Sequence, residues 1–368
     1  MRGEIDSQIG LLTLITPEKR VPADHPIRRI KAMADDALKR LDPVFEEMYG
    51  STGRPSIPPE RLLKAQLLIA LYSVRSERQF CERLNYDLLF RFFLDMSLDD
   101  ATWDQSTFAK NRDRLMQHEV ARLFFEEVVR TAKAARLMSQ EHFTVDGTLI
   151  EAWASLKSFR PKDEKPKDRR PPDDPGNPSV DFRGEKRSNQ THESTTDPEA
   201  KLATKGNQQT AKLSYSGHVL MENRNGLCVD IRVAPPSGYA ERDEALEMIR
   251  RLRRRGFDPS TLGADKAYDV GDFPHALTAL GIKPHIAVNK YRPPGSPVRR
   301  VARGRGYEIS QRIRKRVEEI FGWMKTIGGL RKTRYRGRAK TWTSAYLVAA
   351  AYNLLRIGRL LSFEEAAT

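Results

Sequence analysis

No strand pattern interrupts the first 138 residues of this chain, whereas from residue 142 strand signals alternate regularly with helical ones. A chain built this way has to join an all-helical part to an α/β part. In the first part, apolar residues recur at Ile27, Ile30, Met33, Leu38 and Leu41, and a denser apolar helix follows from Arg61 to Val74. Ser76 and Gln79 stand at capping-box spacing, the pattern pauses at Asn85-Tyr86-Asp87, and a capped helix then leads into a long amphipathic one ending near Met138. Short helices with tight turns suit either helix-turn-helix contact with DNA, in which Lys110, Arg112 and Arg114 face phosphates, or a dimerisation and packing domain.

The second part opens with "HFTVDGTLI" from His142, whose β-branched and aromatic residues predict a strand. From Lys157 to about Gly206 periodicity is lost in segments rich in Pro and mixed charge, which predicts a mobile polar insertion. Two alternating runs around Asn225-Gly226 then predict a hairpin. They are followed by a helix closed by Gly256, a strand "STLGAD", a short helix, a strand "KPHIAV", a basic loop, and a helix from about Ile309 to Ile327. Three antiparallel strands followed by alternating helices and parallel strands is the order of a ribonuclease H-like domain, a mixed five-stranded sheet with flanking helices. The expected division is a helical DNA-binding or dimerisation domain over 1–138 and an α/β catalytic domain over 139–363, with the insertion at about 157–206.

In that topology the first strand lies beside the fourth, so Asp146 on the first and Asp265 at the end of the fourth become spatial neighbours. On the late helix, Ile309, Ile313, Val317, Ile320, Met324 and Ile327 form one apolar stripe. At about 100° per residue, Glu318 and Lys325 fall within roughly 40° of Arg314 on the opposite face, whereas Glu319 turns towards the apolar edge. Asp146, Asp265 and Glu318 thus make a set of oxygen ligands without His or Cys. Such a set suits Mg²⁺ or Mn²⁺, in a pair of ions that serves in-line phosphoryl transfer. Taken singly, each residue also has an ordinary structural use: an Asp before Gly makes turns, and Glu318 beside Arg314 is an i, i+4 ion pair. Asp230, Asp269, Asp272 and Glu151 are weaker candidates.

A formal net charge of +15 points to a polyanionic partner, nucleic acid ahead of an acidic membrane surface. Between Lys290 and Lys340 stand 17 Lys or Arg and three acids, so most of the excess surrounds the third carboxylate. "RKTRYRGRAK", carrying Arg331, Lys332, Arg334 and Arg336 around Tyr335, suits phosphate tracking and base stacking. Cys81 and Cys228 match neither a disulfide framework nor a zinc site and are expected buried and reduced. With no signal peptide and no long apolar run, the expectation is a soluble cytoplasmic protein, nucleoid-associated when bound to DNA, without membrane contact.

"TVDGTLIEAWAS", "GADKAYD" and "RKRVEEIFGWMKTIGGLRKTRYRG" resemble the three active-site blocks of bacterial insertion-sequence transposases of the Asp-Asp-Glu (DDE) class. "LSYSGHVLMENRNGL" resembles the hairpin between the first two, and residues 20–115 resemble the N-terminal domain. The resemblance implies that Asp146, Asp265 and Glu318 are catalytic and bind metal. It also implies that Arg314, Glu318 and Lys325 belong to a Tyr-Arg-Glu-Lys signature, with Gln311 where its tyrosine is expected and Tyr307 one turn earlier. The implied activity is divalent-metal-dependent cleavage and strand transfer at the terminal inverted repeats of an insertion sequence. The implied partner is double-stranded DNA, at element ends and target, engaged by a homodimer or higher oligomer. A catalytically silent DNA-binding derivative and a ribonuclease H-like nuclease are the competing functions.

Overall fold

The computed structural model describes residues 16–49, 56–117, 119–162, 187–204, 210–291, 293 and 295–367. Eight helices precede any strand: α1 Pro17–Arg20, α2 Pro26–Lys39, α3 Asp42–Met48, α4 Pro59–Leu71, α5 Glu77–Leu84, α6 Leu88–Phe93, α7 Gln105–Gln117 and α8 Val120–Ala134. Their starts are written in the sequence. Ser76 Oγ accepts from Gln79 N (3.1 Å) and Gln79 Oε1 accepts from Arg75 N (3.0 Å), so α5 is held at both sides of its cap. Helix α4 is buried nearly all round, and even Lys64 lies inside, where Asp35 and Asp95 satisfy its ammonium.

The sheet begins with β1 His142–Glu151, followed by the short strands β2 Phe159–Pro161, β3 His192–Ser194 and β4 Lys201–Ala203. Strands β5 Lys212–Glu222 and β6 Leu227–Ala234 form the hairpin, with Gly226 at φ +68° in the turn, a conformation glycine adopts without strain. Then come α9 Ala240–Arg254, β7 Thr261–Ala264, α10 Phe273–Ala279 and β8 Lys283–Ile286. Across the sheet the order is β6-β5-β1-β7-β8, antiparallel on the β6 side and parallel on the β8 side, with β4 pairing the end of β5 as a sixth strand. This is the ribonuclease H-like arrangement, with β1 at its centre. One further strand, β4, joins the five expected.

The chain closes with α11 Pro297–Val301, α12 Arg305–Ile313, α13 Val317–Thr326 and α14 Arg338–Ala367. Helix α14 packs on β6 of the sheet and on α2, α4 and α8 of the helical part, so the apolar core runs unbroken through both. Ala345, Ala349, Ala350 and Ala351 are wholly buried along it, and their small side chains permit close helix approach. Asn353 adds a polar tie, bonding Cys228 N (2.9 Å) and Cys228 O (2.8 Å) inside the core. Both cysteines are free and buried.

Two expectations need correction. The stretch expected as a mobile insertion at 157–206 is structured where it is described: β2 pairs with β3, and β4 joins the main sheet. Side-chain hydrogen bonds do what apolar alternation does elsewhere. Asn189 bonds both the N–H and C=O of Leu202, at 2.8 and 2.9 Å, and buried Asp197 accepts from the Tyr215 hydroxyl at 2.6 Å. The Pro-rich centre of that insertion, 163–186, and residues 205–209 lie outside the described residues. Second, the single helix expected from Ile309 to Ile327 is two, α12 and α13, joined by a 3₁₀ turn at Arg314–Arg316. A 3₁₀ turn advances about 120° per residue, so the apolar stripes of the two helices fall out of line. Val317, Ile320 and Met324 are buried, but Ile309 and Ile327 are each 37% exposed.

Candidate active site

The β7-facing edge of β1 is free of strand pairing from Val145 until Glu151 bridges Lys332, because its pairing with β7 runs only through His142–Thr144. Asp146 is the second residue past that point, and its Oδ1 accepts from Gly147 N at 2.7 Å. Burial pushes its carboxyl up to about 6, the Asp265 and Glu241 carboxylates add to the shift, and the Gly147 N–H and Arg314 oppose it. Asp265 immediately follows β7 and caps the next turn, with Oδ1 accepting from Ala267 N at 2.8 Å. The structure therefore brings the first two predicted acids into one site.

The third stands apart from them. Glu318 is exposed in the first turn of α13 and makes no hydrogen bond or ion pair among the described residues. Its neighbour Glu319 pairs with Arg356 of α14 at 3.5 Å. Among the described residues no three His, Cys, Asp or Glu side chains are gathered closely enough to hold a metal ion as they stand. Helix α13 nevertheless lies across the Asp146 face of β1. Lys325 Nζ donates to Thr148 Oγ1, two residues beyond Asp146 on the same face.

Arg314 reaches the field of Asp146, and its Nε donates to Gln311 Oε1 at 3.0 Å. Gln311 in turn donates to His285 O at 2.6 Å, while the Tyr307 hydroxyl donates to Ile286 O at 3.0 Å. Gln311, in the position where tyrosine is expected, thus tethers Arg314 to the end of β8. Of the remaining predicted phosphate contacts, Arg331 and Arg336 are exposed, whereas Lys332 pairs with Glu151 at 3.3 Å. Arg334 is half-buried, and desolvation depresses its guanidinium.

Two expected DNA contacts have structural uses instead. Arg112 pairs with Glu77 and with Asp113 at 2.9 Å, and its guanidinium lies 5.0 Å from the centroid of the Tyr335 ring. Tyr335, expected to stack on bases, is held inside by Arg112 and Glu77, and burial pushes its hydroxyl up to about 12. The carboxylate missed by sequence reasoning is Glu241, in the first turn of α9, which burial and then Asp265 push up. Its signal was weak because an acid in a first helical turn is common for dipole reasons alone.

The pattern of the family described as Transposase domain (DUF772) matches residues 15–114, and that of the Transposase DDE domain matches residues 177–354. The chain belongs to the DDE transposases of insertion sequences. This DDE transposase is accordingly an enzyme of DNA transposition, and its class implies the use of divalent metal. Asp146 lies between the two matched segments, so its place in the site rests on the geometry of β1. Among solved structures, the piggyBac transposase synaptic complex with hairpin DNA is 12% identical, with TM-score 0.40, covering 91% of this chain and 73% of that one. A pre-cleavage Mos1 transpososome is 11% identical, TM-score 0.21, covering 92% and 98%. The Mos1 mariner paired end complex with Mn is 10% identical, TM-score 0.22, covering 88% and 84%. Among the described residues of this transposase no helix is long and apolar enough to cross a membrane.

Proposed function

We propose that Asp146, Asp265 and Glu318 hold divalent cations, Mg²⁺ or Mn²⁺ and in a pair, and that the transposase cuts and rejoins double-stranded DNA at the terminal inverted repeats of its insertion sequence. The observation carrying this reading is the meeting of Asp146 and Asp265, from distant parts of the chain, at the open edge of the central strand beside Arg314. The donor set fits the metal: the carboxyls are hard oxygen donors, and the burial and the neighbouring carboxylates that raise Asp146 are what a bound cation offsets. When bound, such ions activate a water or 3′-hydroxyl and offset charge on the departing oxygen.

The protein's own residues supply the rest. Asp146 and Asp265 are fixed by backbone hydrogen bonds, so little reorganisation is needed before they act. Arg314 and Lys325 sit on the Asp146 side of the sheet, where a phosphate backbone entering the site meets two cations. Glu318, which is exposed and has no partner among the described residues, is free to turn towards the site when DNA is bound. The finer DNA path follows the exposed cations Arg331 and Arg336, with Lys332 and Arg334 flanking. A homodimer or higher oligomer, pairing two element ends, completes the proposal.

Purified protein mixed with labelled element ends and Mg²⁺ is expected to nick the end and join it to a target duplex. Binding without turnover would identify a silent regulatory derivative, and cutting without joining a nuclease. A narrower prediction concerns Gln311. Removing its amide with Gln311→Ala frees Arg314, and end binding at fixed salt should weaken by about tenfold, the equivalent of one charge-assisted hydrogen bond. A titration showing unchanged affinity would leave Arg314 outside the DNA path.

A further inference from the structure

We propose that Glu241 is a fourth acidic residue of this site, standing behind Asp146 and Asp265 and strengthening their hold on a hydrated divalent cation. The inference rests on the reading of Asp146 and Asp265 given above. Helix α9 packs on β1, β5 and β6, and it brings its first turn against the centre of the sheet. A Cβ at position 147 would lie 3.1 Å from Glu241 Oε1 and 3.3 Å from His218 Nδ1. The glycine beside Asp146 therefore opens the space through which this carboxylate approaches the central strand.

Glu241 makes no hydrogen bond or ion pair among the described residues, although it is half-buried. The obvious partner is turned away: Arg242 donates to Gly238 O at 2.9 Å and Ala267 O at 3.3 Å, and its guanidinium lies over the Tyr239 ring. A carboxylate kept only for helix capping would sit in water, where it costs nothing.

Two other polar groups around it lack partners. His218 is wholly buried opposite Gly147 on β5, and neither ring nitrogen has a hydrogen-bond partner. The Tyr268 hydroxyl, three residues beyond Asp265, is also wholly buried and unpartnered, with the carboxylates of Glu241, Asp146 and Asp265 all bearing on it. Buried polar atoms are rarely left unmade without a functional reason. Burial holds His218 neutral, so it can accept a hydrogen bond, as can the tyrosine oxygen. Waters on a Mg²⁺ or Mn²⁺ ion are strong donors, and Mg²⁺ keeps several of them. A hydrated cation at Asp146 and Asp265 would thus offer the Tyr268 hydroxyl a partner, with Glu241 accepting from the same water shell as a positioning residue, while His218 shares the Gly147 face of β1 with Glu241.

The test measures Mn²⁺ binding to the DNA-free, full-length protein by the loss of the free-ion electron paramagnetic resonance signal. Wild type, E241Q, D146N and D265N are compared, with circular dichroism confirming that each is folded. E241Q should weaken Mn²⁺ binding about tenfold, the size usual for outer-shell partners, with D146N and D265N weakening it further. The Mg²⁺ concentration giving half-maximal nicking should rise in step, while the rate at saturating Mg²⁺ changes little. A folded E241Q that binds Mn²⁺ as wild type does, while D146N and D265N do not, overturns the role of Glu241 and leaves the site intact. Should D146N and D265N also bind as wild type, the metal site itself is misplaced, and Glu241 falls with it.

Discussion

Asp146→Asn should lower Mg²⁺-dependent nicking of an element end by about a thousandfold or more while leaving binding of that end within about threefold, and it should make the metal-free protein more stable. Loss of a carboxylate that would hold metal beside the reacting phosphate would remove stabilisation present only in the transition state, so the loss should appear in the rate and not in affinity. The stability gain follows from linkage. The folded-state pKa of Asp146 is about 6, above the ordinary value of 3.8, so its contribution is fully present below pH 3.8 and is lost as pH rises through 6. At pH 7 to 8 the metal-free wild type carries a cost of up to about 3 kcal/mol that the amide does not. Urea unfolding with and without Mg²⁺ checks it: asparagine should be the more stable without the ion, and only wild type should gain when Mg²⁺ is added. Nicking by D146N at a tenth of the wild-type rate would remove Asp146 from the chemistry.

Arg112→Ala should cost about 3 kcal/mol of stability, because it strands the largely enclosed Glu77 carboxylate and uncovers Tyr335. Its expected effect on DNA is small. A phosphate contact contributes to the dependence of binding on salt, whereas Arg112 is committed inside the protein, so the slope of log affinity against log salt should not change. Chemical denaturation and salt titrations of the same variant separate the two. A stable variant with a shallower salt slope would return Arg112 to the DNA-binding surface.

The contrast between Asp146 and Arg112 shows what could be read from the amino-acid sequence. Asp146 was legible because β-branched neighbours announce its strand, and strand order then places it beside Asp265. The turn at Asn225-Gly226 was legible because few residue pairs accept its backbone. The structural role of Arg112 and Tyr335 was not legible, because the partner they share, Glu77, is known only from the fold. The break between α12 and α13 contains neither Pro nor Gly; packing of α13 against β1 and α14 decides it, and no local signal announces that. A strand of only three residues such as β4 is too short to show alternation, and Asn189 holds β4 through its side chain. Glu241 was hidden for the same reason as Arg112: its meaning depends on which residues the sheet brings to it.

In the proposed site Glu318, not its neighbour, joins Asp146 and Asp265 when DNA is present. Single-turnover cleavage of a pre-bound element end in Mg²⁺, by wild type, E318Q and E319Q, tests this most directly. Glu319 is tied to Arg356 at 3.5 Å, while Glu318 is exposed and has no partner among the described residues. E318Q should bind the end but fail to cleave it, and E319Q should cleave at close to the wild-type rate. Cleavage by E318Q together with failure of E319Q would contradict that role for Glu318.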